Sequence, residues 1–190
     1  MVAISRNPKN KKNVNAQSST CIKSSFKWDN LAIIITIVFD AILLSMVIAA
    51  FRSSLVLIEI FSILLAVSCA LFFPIRLIVT EDTIKIRRPI GTVKIDINDI
   101  MSCCIIEDEK QFFDKVIRTC GSGGAYGYWG YFRHSKYGKM RFFVTHKQQC
   151  FHIKLKDGKH YVISSEKRDE IVRFIANNSN CHGFHEHKLP

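Results

Sequence analysis

Residues 31–73 read LAIIITIVFDAILLSMVIAAFRSSLVLIEIFSILLAVSCALFF, a stretch whose charged side chains are Asp40, Arg52 and Glu59 alone. A helix needs about 20 apolar residues to cross the hydrocarbon core of a bilayer. Segments 31–51 and 55–73 both meet that length, and Arg52-Ser53-Ser54 between them leaves room for a tight turn. The pattern predicts a two-helix transmembrane hairpin. A cleaved signal peptide starts earlier, has a shorter apolar run and is not followed at once by a second one. A hairpin buried in a water-soluble protein would need more apolar surface around it than the remaining chain offers.

The flanks set the orientation. The chain has 190 residues, 48% of them hydrophobic, and a net charge of +11. Arg6, Lys9, Lys11, Lys12, Lys23 and Lys27 precede the first segment, and Arg76, Lys85, Arg87, Arg88 and Lys94 follow the second. Cationic flanks stay on the cytoplasmic side, so both termini are expected inside, with the chain a multi-pass protein of the inner (plasma) membrane. Phe26 and Trp28 fit an interfacial anchor. Cysteines 21, 69, 103, 104, 120, 150 and 181 form no paired spacing, which suggests reduced thiols. Small residues recur every four positions at Ala41, Ser45 and Ala49 and at Ser62, Ala66 and Ala70, a spacing that lets helices pack closely in lipid. Asp40 and Glu59 are the intramembrane polar candidates, each costing about 2.5–3.5 kcal/mol to insert. Glu59 can snorkel toward Arg52, whereas Asp40 has no basic partner at its depth. It reads as structural glue or, in the alternative, as the centre of a small transporter or channel component.

From Pro74 onward the period changes to two. Alternating, β-branched runs at 76–80, 83–88, 92–97, 100–106, 139–145, 151–155 and 160–164 predict seven strands. Asp157-Gly158 favours a two-residue hairpin turn. Ser165 is a good helix cap, and Ile171, Phe174 and Ile175 share one stripe over 166–177. The simplest architecture is α+β: the helical hairpin, then a small, partly open antiparallel β-barrel plugged by a C-terminal helix. The expected divisions are a basic N-terminal arm (1–30), the hairpin (31–73), a cytoplasmic domain (74–178) and a flexible tail (179–190). The arm's sparse lysines predict electrostatic contact with anionic lipid.

The stretch 120–139 reads CGSGGAYGYWGYFRHSKYGK and holds six of the nine glycines. As a nucleotide-binding loop it fails, being one residue off the dinucleotide spacing and lacking a Gly-Lys-Ser/Thr. It reads as a loop over 121–138 whose aromatic side chains make contact area with few rotamers to fix. Tyr126, Tyr128, Trp129, Tyr131, Phe132 and Arg133 are the candidate interaction residues, with Lys136 and Lys139 on the rim. One or two of the rings are expected to close the barrel. Chemistry has little support. Cys103-Cys104 cannot form a CxxC pair, Glu107-Asp108-Glu109 reads as a solvated acidic loop, and Cys181, His182, His185 and His187 read as an adventitious chelating tail. No enzyme activity, cofactor, resident metal or nucleic-acid partner is expected.

Val116-Ile-Arg-Thr-Cys-Gly-Ser-Gly-Gly124, Gly127-Tyr-Trp-Gly-Tyr-Phe-Arg133, Tyr137-Gly-Lys139 and Ile153-Lys-Leu-Lys-Asp-Gly-Lys-His-Tyr-Val-Ile-Ser164 resemble the bacterial pleckstrin-homology (PH) domain proteins over roughly 75–177. The resemblance implies a PH-like barrel with no catalytic residues to carry over. Eukaryotic relatives of that fold bind phosphoinositides through basic residues at the first hairpin. Here the turn is Glu81-Asp82, which argues against a specific phosphoinositide, although Lys85-Ile86-Arg87 keeps a fragment of the pattern. The expected function is a membrane-anchored, non-catalytic interaction or assembly module. Its partners would be the lipid bilayer and either further copies of itself or another membrane protein.

Overall fold

A computed structural model describes residues 21–53 and 56–179, without the side chains of 50–53, 56, 58, 59, 66 and 69. The arm before residue 21, the side chains of Arg52 and Glu59, and the tail with Cys181, His182, His185 and His187 lie outside the described residues.

A short strand, β1 (Ile22–Ser25), precedes two helices, α1 (Asn30–Ser53) and α2 (Val56–Phe72). The next strands are β2 (Arg76–Val79), β3 (Thr83–Arg87) and β4 (Thr92–Asp96). These form one antiparallel sheet in the order β1-β2-β3-β4. Its alternation buries Leu77, Val79, Ile84, Ile86, Val93 and Ile95 and turns Lys85 and Lys94 outward. Ile22 pairs with Val79 and Ser25 with Arg76, so the strand before the helices completes the sheet after them. The two helices are thus an excursion between adjacent strands of one sheet.

Of the two expected spanning helices, one meets the length and hydropathy for a span, and the second is shorter. Among the described residues, Asn30–Ala49 is the one candidate span long and apolar enough to cross a membrane, with a mean hydropathy of 2.8. Helix α2 has 17 residues, about 25 Å against a hydrocarbon core of about 30 Å. Its apolar run continues to Phe73, but Phe72 and Phe73 are spent on contacts with the domain. Ala41, Ser45 and Ala49 are exposed rather than packed in a seam, whereas Leu43 and Ser62 are buried.

The second sheet has six strands: β5 (Ile100–Ile105), β6 (Val116–Gly124), β7 (Gly127–His134), β8 (Gly138–Val144), β9 (Cys150–Leu155) and β10 (His160–Ser164). Their order is β5-β9-β10-β8-β7-β6. The sheets are not a closed barrel, nor are they wholly antiparallel. The turn at Gly158 folds β10 back onto β9, and β10 enters between β9 and β8, which forces a parallel β10–β8 pair. The architecture is a two-sheet sandwich. Its main core packs the inner sides of both sheets with Ile171, Val172 and Ile175 of α4 (Arg168–Asn178). Alternate residues on the same strands, among them Met140, Phe142, Val144 and Val162, build a second cluster on the opposite face. Phe112 of α3 (Glu109–Asp114) caps that cluster. Asp108, expected in a solvated loop, accepts the Gln111 backbone N–H at 2.9 Å and starts α3. Ser165 accepts the Lys167 N–H at 3.1 Å, one turn ahead of the helix it was expected to cap directly.

The stretch expected to loop over 121–138 is mostly a strand pair. Gly121 and Gly130 face each other across β6 and β7 with φ of +121° and +118°. A Cβ on Gly130 would stand 2.8 Å from the Gly121 Cα, so the two backbones approach as they do because neither residue has a side chain.

Candidate functional site

The tip of the β6–β7 hairpin rests on α1. Tyr126, the one described non-glycine residue with positive φ (+55°), sits in its turn. Its backbone N–H donates to Thr36 Oγ1 at 2.8 Å, and that hydroxyl donates to the Ala32 carbonyl at 2.7 Å. The Tyr126 phenol donates toward the Asp40 carboxylate, 3.2 Å from each oxygen. Asp40, expected to lack a basic partner at its depth, has a neutral hydrogen-bond donor 86 positions along the chain. The Tyr126 ring lies 6.2 Å from Trp28 and 6.0 Å from Phe73, and those two rings meet edge to face at 5.8 Å. Gly124 lies against Ile35, where an added Cβ would come within 2.8 Å of Ile35 Cδ1. The junction thus joins the entry to α1, the exit from α2 and the hairpin tip.

The six candidate interaction residues do not share one surface, because strand alternation divides them. Tyr128 and Phe132 are buried in the second cluster, Phe132 stacked on Phe142 at 4.3 Å. Trp129 points to the other face, half-buried, its ring 6.0 Å from Phe72. Tyr126 is committed to α1. Tyr131, 55% exposed, and Arg133 remain open. Beside them Arg141 lies over the rings of Tyr131 (5.5 Å) and Phe143 (5.2 Å), and Arg88 lies over Phe72 at 5.7 Å. Burial, and then the positive charge of Arg141, hold the Arg88 guanidinium below its usual pKa. Tyr131, Arg141, Lys139, Lys159 and Tyr161 line a shallow cavity of about 320 Å³ on this margin. Residues 28, 36, 72, 73 and 88 were not anticipated here. The one sequence signal was the 14-residue charge-free run from Thr119 to Phe132, which is unusual for a solvated loop.

A second polar group lies on the opposite face. His152 Nε2 and His160 Nδ1 are 2.9 Å apart, and Cys104 Sγ is 3.8 Å from His152 Nδ1. Burial pushes the His152 pKa down to about 3, assisted by the charges of His160, His134 and Lys154, and pushes the Cys104 thiol up to about 11. A neutral imidazole beside a protonated thiol is a packed polar core rather than an activated nucleophile. Among the described residues no three His, Cys, Asp or Glu side chains are placed to hold a metal ion. Cys103 points into the main core, on the other face from Cys104, as adjacent strand residues must.

A two-sheet sandwich ending in an amphipathic helix, with an apolar helix ahead of it, defines an α+β protein of the PH class. The family model described as the bacterial PH domain matches residues 75–179, and the chain belongs to that family. The match begins after α2 and so excludes β1, α1 and Trp28. PH domains are interaction modules and in general not catalysts. No curated protein and no solved structure matches the chain.

Proposed function

We propose that this chain is a membrane-anchored, non-catalytic interaction module of the inner (plasma) membrane. The PH domain rests against an apolar helical hairpin, both chain ends lie in the cytoplasm, and copies associate with one another. The β1–β2 pairing carries this reading. Hydrogen-bonded neighbours such as Ser25 and Arg76 lie on one side of any membrane, so a chain that crosses through α1 must return through α2. Exposed Ile34, Ile37, Leu44, Phe61 and Leu64 along both helices favour lipid as their surroundings. The Tyr126 phenol favours a positioning role for Asp40 over a transport role. The open rim of Tyr131, Arg133 and Arg141 offers a surface for contact with another copy.

Impermeant thiol labelling of Ser53→Cys and Ser135→Cys in intact cells tests the topology. Residue 53 is expected to react from outside and residue 135 only after lysis; the opposite pattern would overturn the reading. Self-association is tested by sizing the Tyr131→Ala, Arg133→Ala chain in mild detergent. A smaller assembly is expected, and an unchanged mass rejects the rim as the contact.

A further inference from the structure

The geometry points to a second membrane-contacting element: the tip of the β6–β7 hairpin is itself sunk into the bilayer margin as a wedge beside α1. The inference rests on the membrane reading above and adds to it that part of the PH domain enters lipid.

Depth carries the argument. Helix α1 has 24 residues, about 36 Å at about 1.5 Å per residue. To cross a core of about 30 Å, all but about four of those residues must lie in hydrocarbon. Thr36 is already two turns in, and it is Thr36 that accepts the Tyr126 N–H. Around the same turns Ile33, Ile34, Ile37 and Val38 are exposed. Whatever solvates those four side chains also surrounds the hairpin tip.

The tip is chemically fitted to lipid. No charged side chain occurs from Thr119 to Phe132. Hydrocarbon does not tolerate unpaired backbone groups, and three polar groups at the turn are met from within the chain. Thr36 takes the Tyr126 N–H, Asp40 takes its phenol, and the Ser122 hydroxyl donates to the Ala125 carbonyl. Thr36 and Asp40, both in the first half of α1, thus serve the hairpin. Trp28, Tyr126 and Trp129 form an aromatic collar at the foot of the helices, the residue types that favour the membrane interface. Basic Arg88, Arg133 and Arg141 follow below it.

Depth-dependent quenching of the full chain in phosphatidylcholine–phosphatidylglycerol vesicles tests this. A thiol-reactive fluorophore is placed singly at Ala125→Cys, at Leu44→Cys in α1, and at Lys156→Cys on the far end of the sandwich, with the other reactive cysteines changed to serine. Lipid spin-labelled on the acyl chain is expected to quench residues 125 and 44, and aqueous iodide residue 156 alone. Iodide quenching at 125 with lipid quenching kept at 44 overturns the wedge and leaves the membrane reading intact. Iodide quenching at both overturns the two together. Native Trp129 in the Trp28→Phe chain gives an unlabelled second readout: brominated lipid is expected to dim it, and no dimming contradicts the wedge.

Discussion

The sandwich core and the β6–β7 hairpin are both β-structure, yet they are specified by opposite means. The core is defined by volume: Phe142, Phe151, Ile163 and Ile153 are fully buried and fill the two faces of one sheet. The hairpin is defined by missing volume, since Gly121 faces Gly130 and Gly124 faces Ile35 where side chains would collide. One region should therefore suffer from lost atoms and the other from added ones. The core holds the domain together, whereas the hairpin holds the domain against α1.

The largest expected effect is on the volume side. Phe151→Ala opens a cavity in the main core and should cost about 3–5 kcal/mol. The urea midpoint of the full chain in micelles measures it, and a shift below 1 kcal/mol would mean that the core is less closely packed than described. Gly130→Ala tests the other side. Its φ of +118° is one that L side chains rarely adopt, and such strain costs about 1–3 kcal/mol before the contact with Gly121 is counted. Amide exchange should accelerate across β6 and β7 while β9 and β10 stay protected. Equal loss everywhere would show that hairpin and sandwich are one cooperative unit.

The same contrast decides what the sequence disclosed. Leu77/Val79, Ile84/Ile86 and Val93/Ile95 alternate over polar neighbours, so their strands are readable from period alone. Around Gly121, Gly123, Gly124, Gly127 and Gly130 half the positions have no side chain from which a period could be read, and the strands resembled a loop. Helix α3 is one and a half turns long, too short for periodicity, and β1 has a single aliphatic residue. The parallel β10–β8 pair was not legible because sheet order is non-local: nothing in the 151–155 or 160–164 runs says that β10 lies beside β8. Asp40 could be flagged as a costly carboxyl, but its partner is 86 positions away.

A third prediction concerns the polar island within the volume-defined region. His152 has a folded pKa of about 3 against an ordinary 6.5. Between those values the unfolded chain binds more protons than the folded one. His152 therefore favours folding fully above pH 6.5, and stability falls as pH drops through the window, by up to about 1.4 kcal/mol per pH unit. His134 and His160 are shifted in the same direction by burial and nearby lysines. His152→Gln should make the urea midpoint less dependent on pH between 6.5 and 4. An unchanged pH slope would show that His152 reaches solvent.

The smallest expected effect lies where the hairpin meets α1. Tyr126→Phe removes one phenol donor, and a hydrogen bond of this kind contributes about 0.5–1.5 kcal/mol net. The single change cannot separate the Asp40 contact from the ring's packing on Trp28 and Phe73, so the informative quantity is the coupling between Tyr126→Phe and Asp40→Ala. If the phenol and the carboxylate act on each other, the double variant loses less than the two singles added together. On the proposed membrane reading, Asp40 left without its donor is worse off than no Asp40 at all, because a carboxylate needs its hydrogen bonds most where water is absent. Zero coupling would mean that water already serves Asp40, placing the first turns of α1 outside the bilayer and leaving too little helix beyond them to span it.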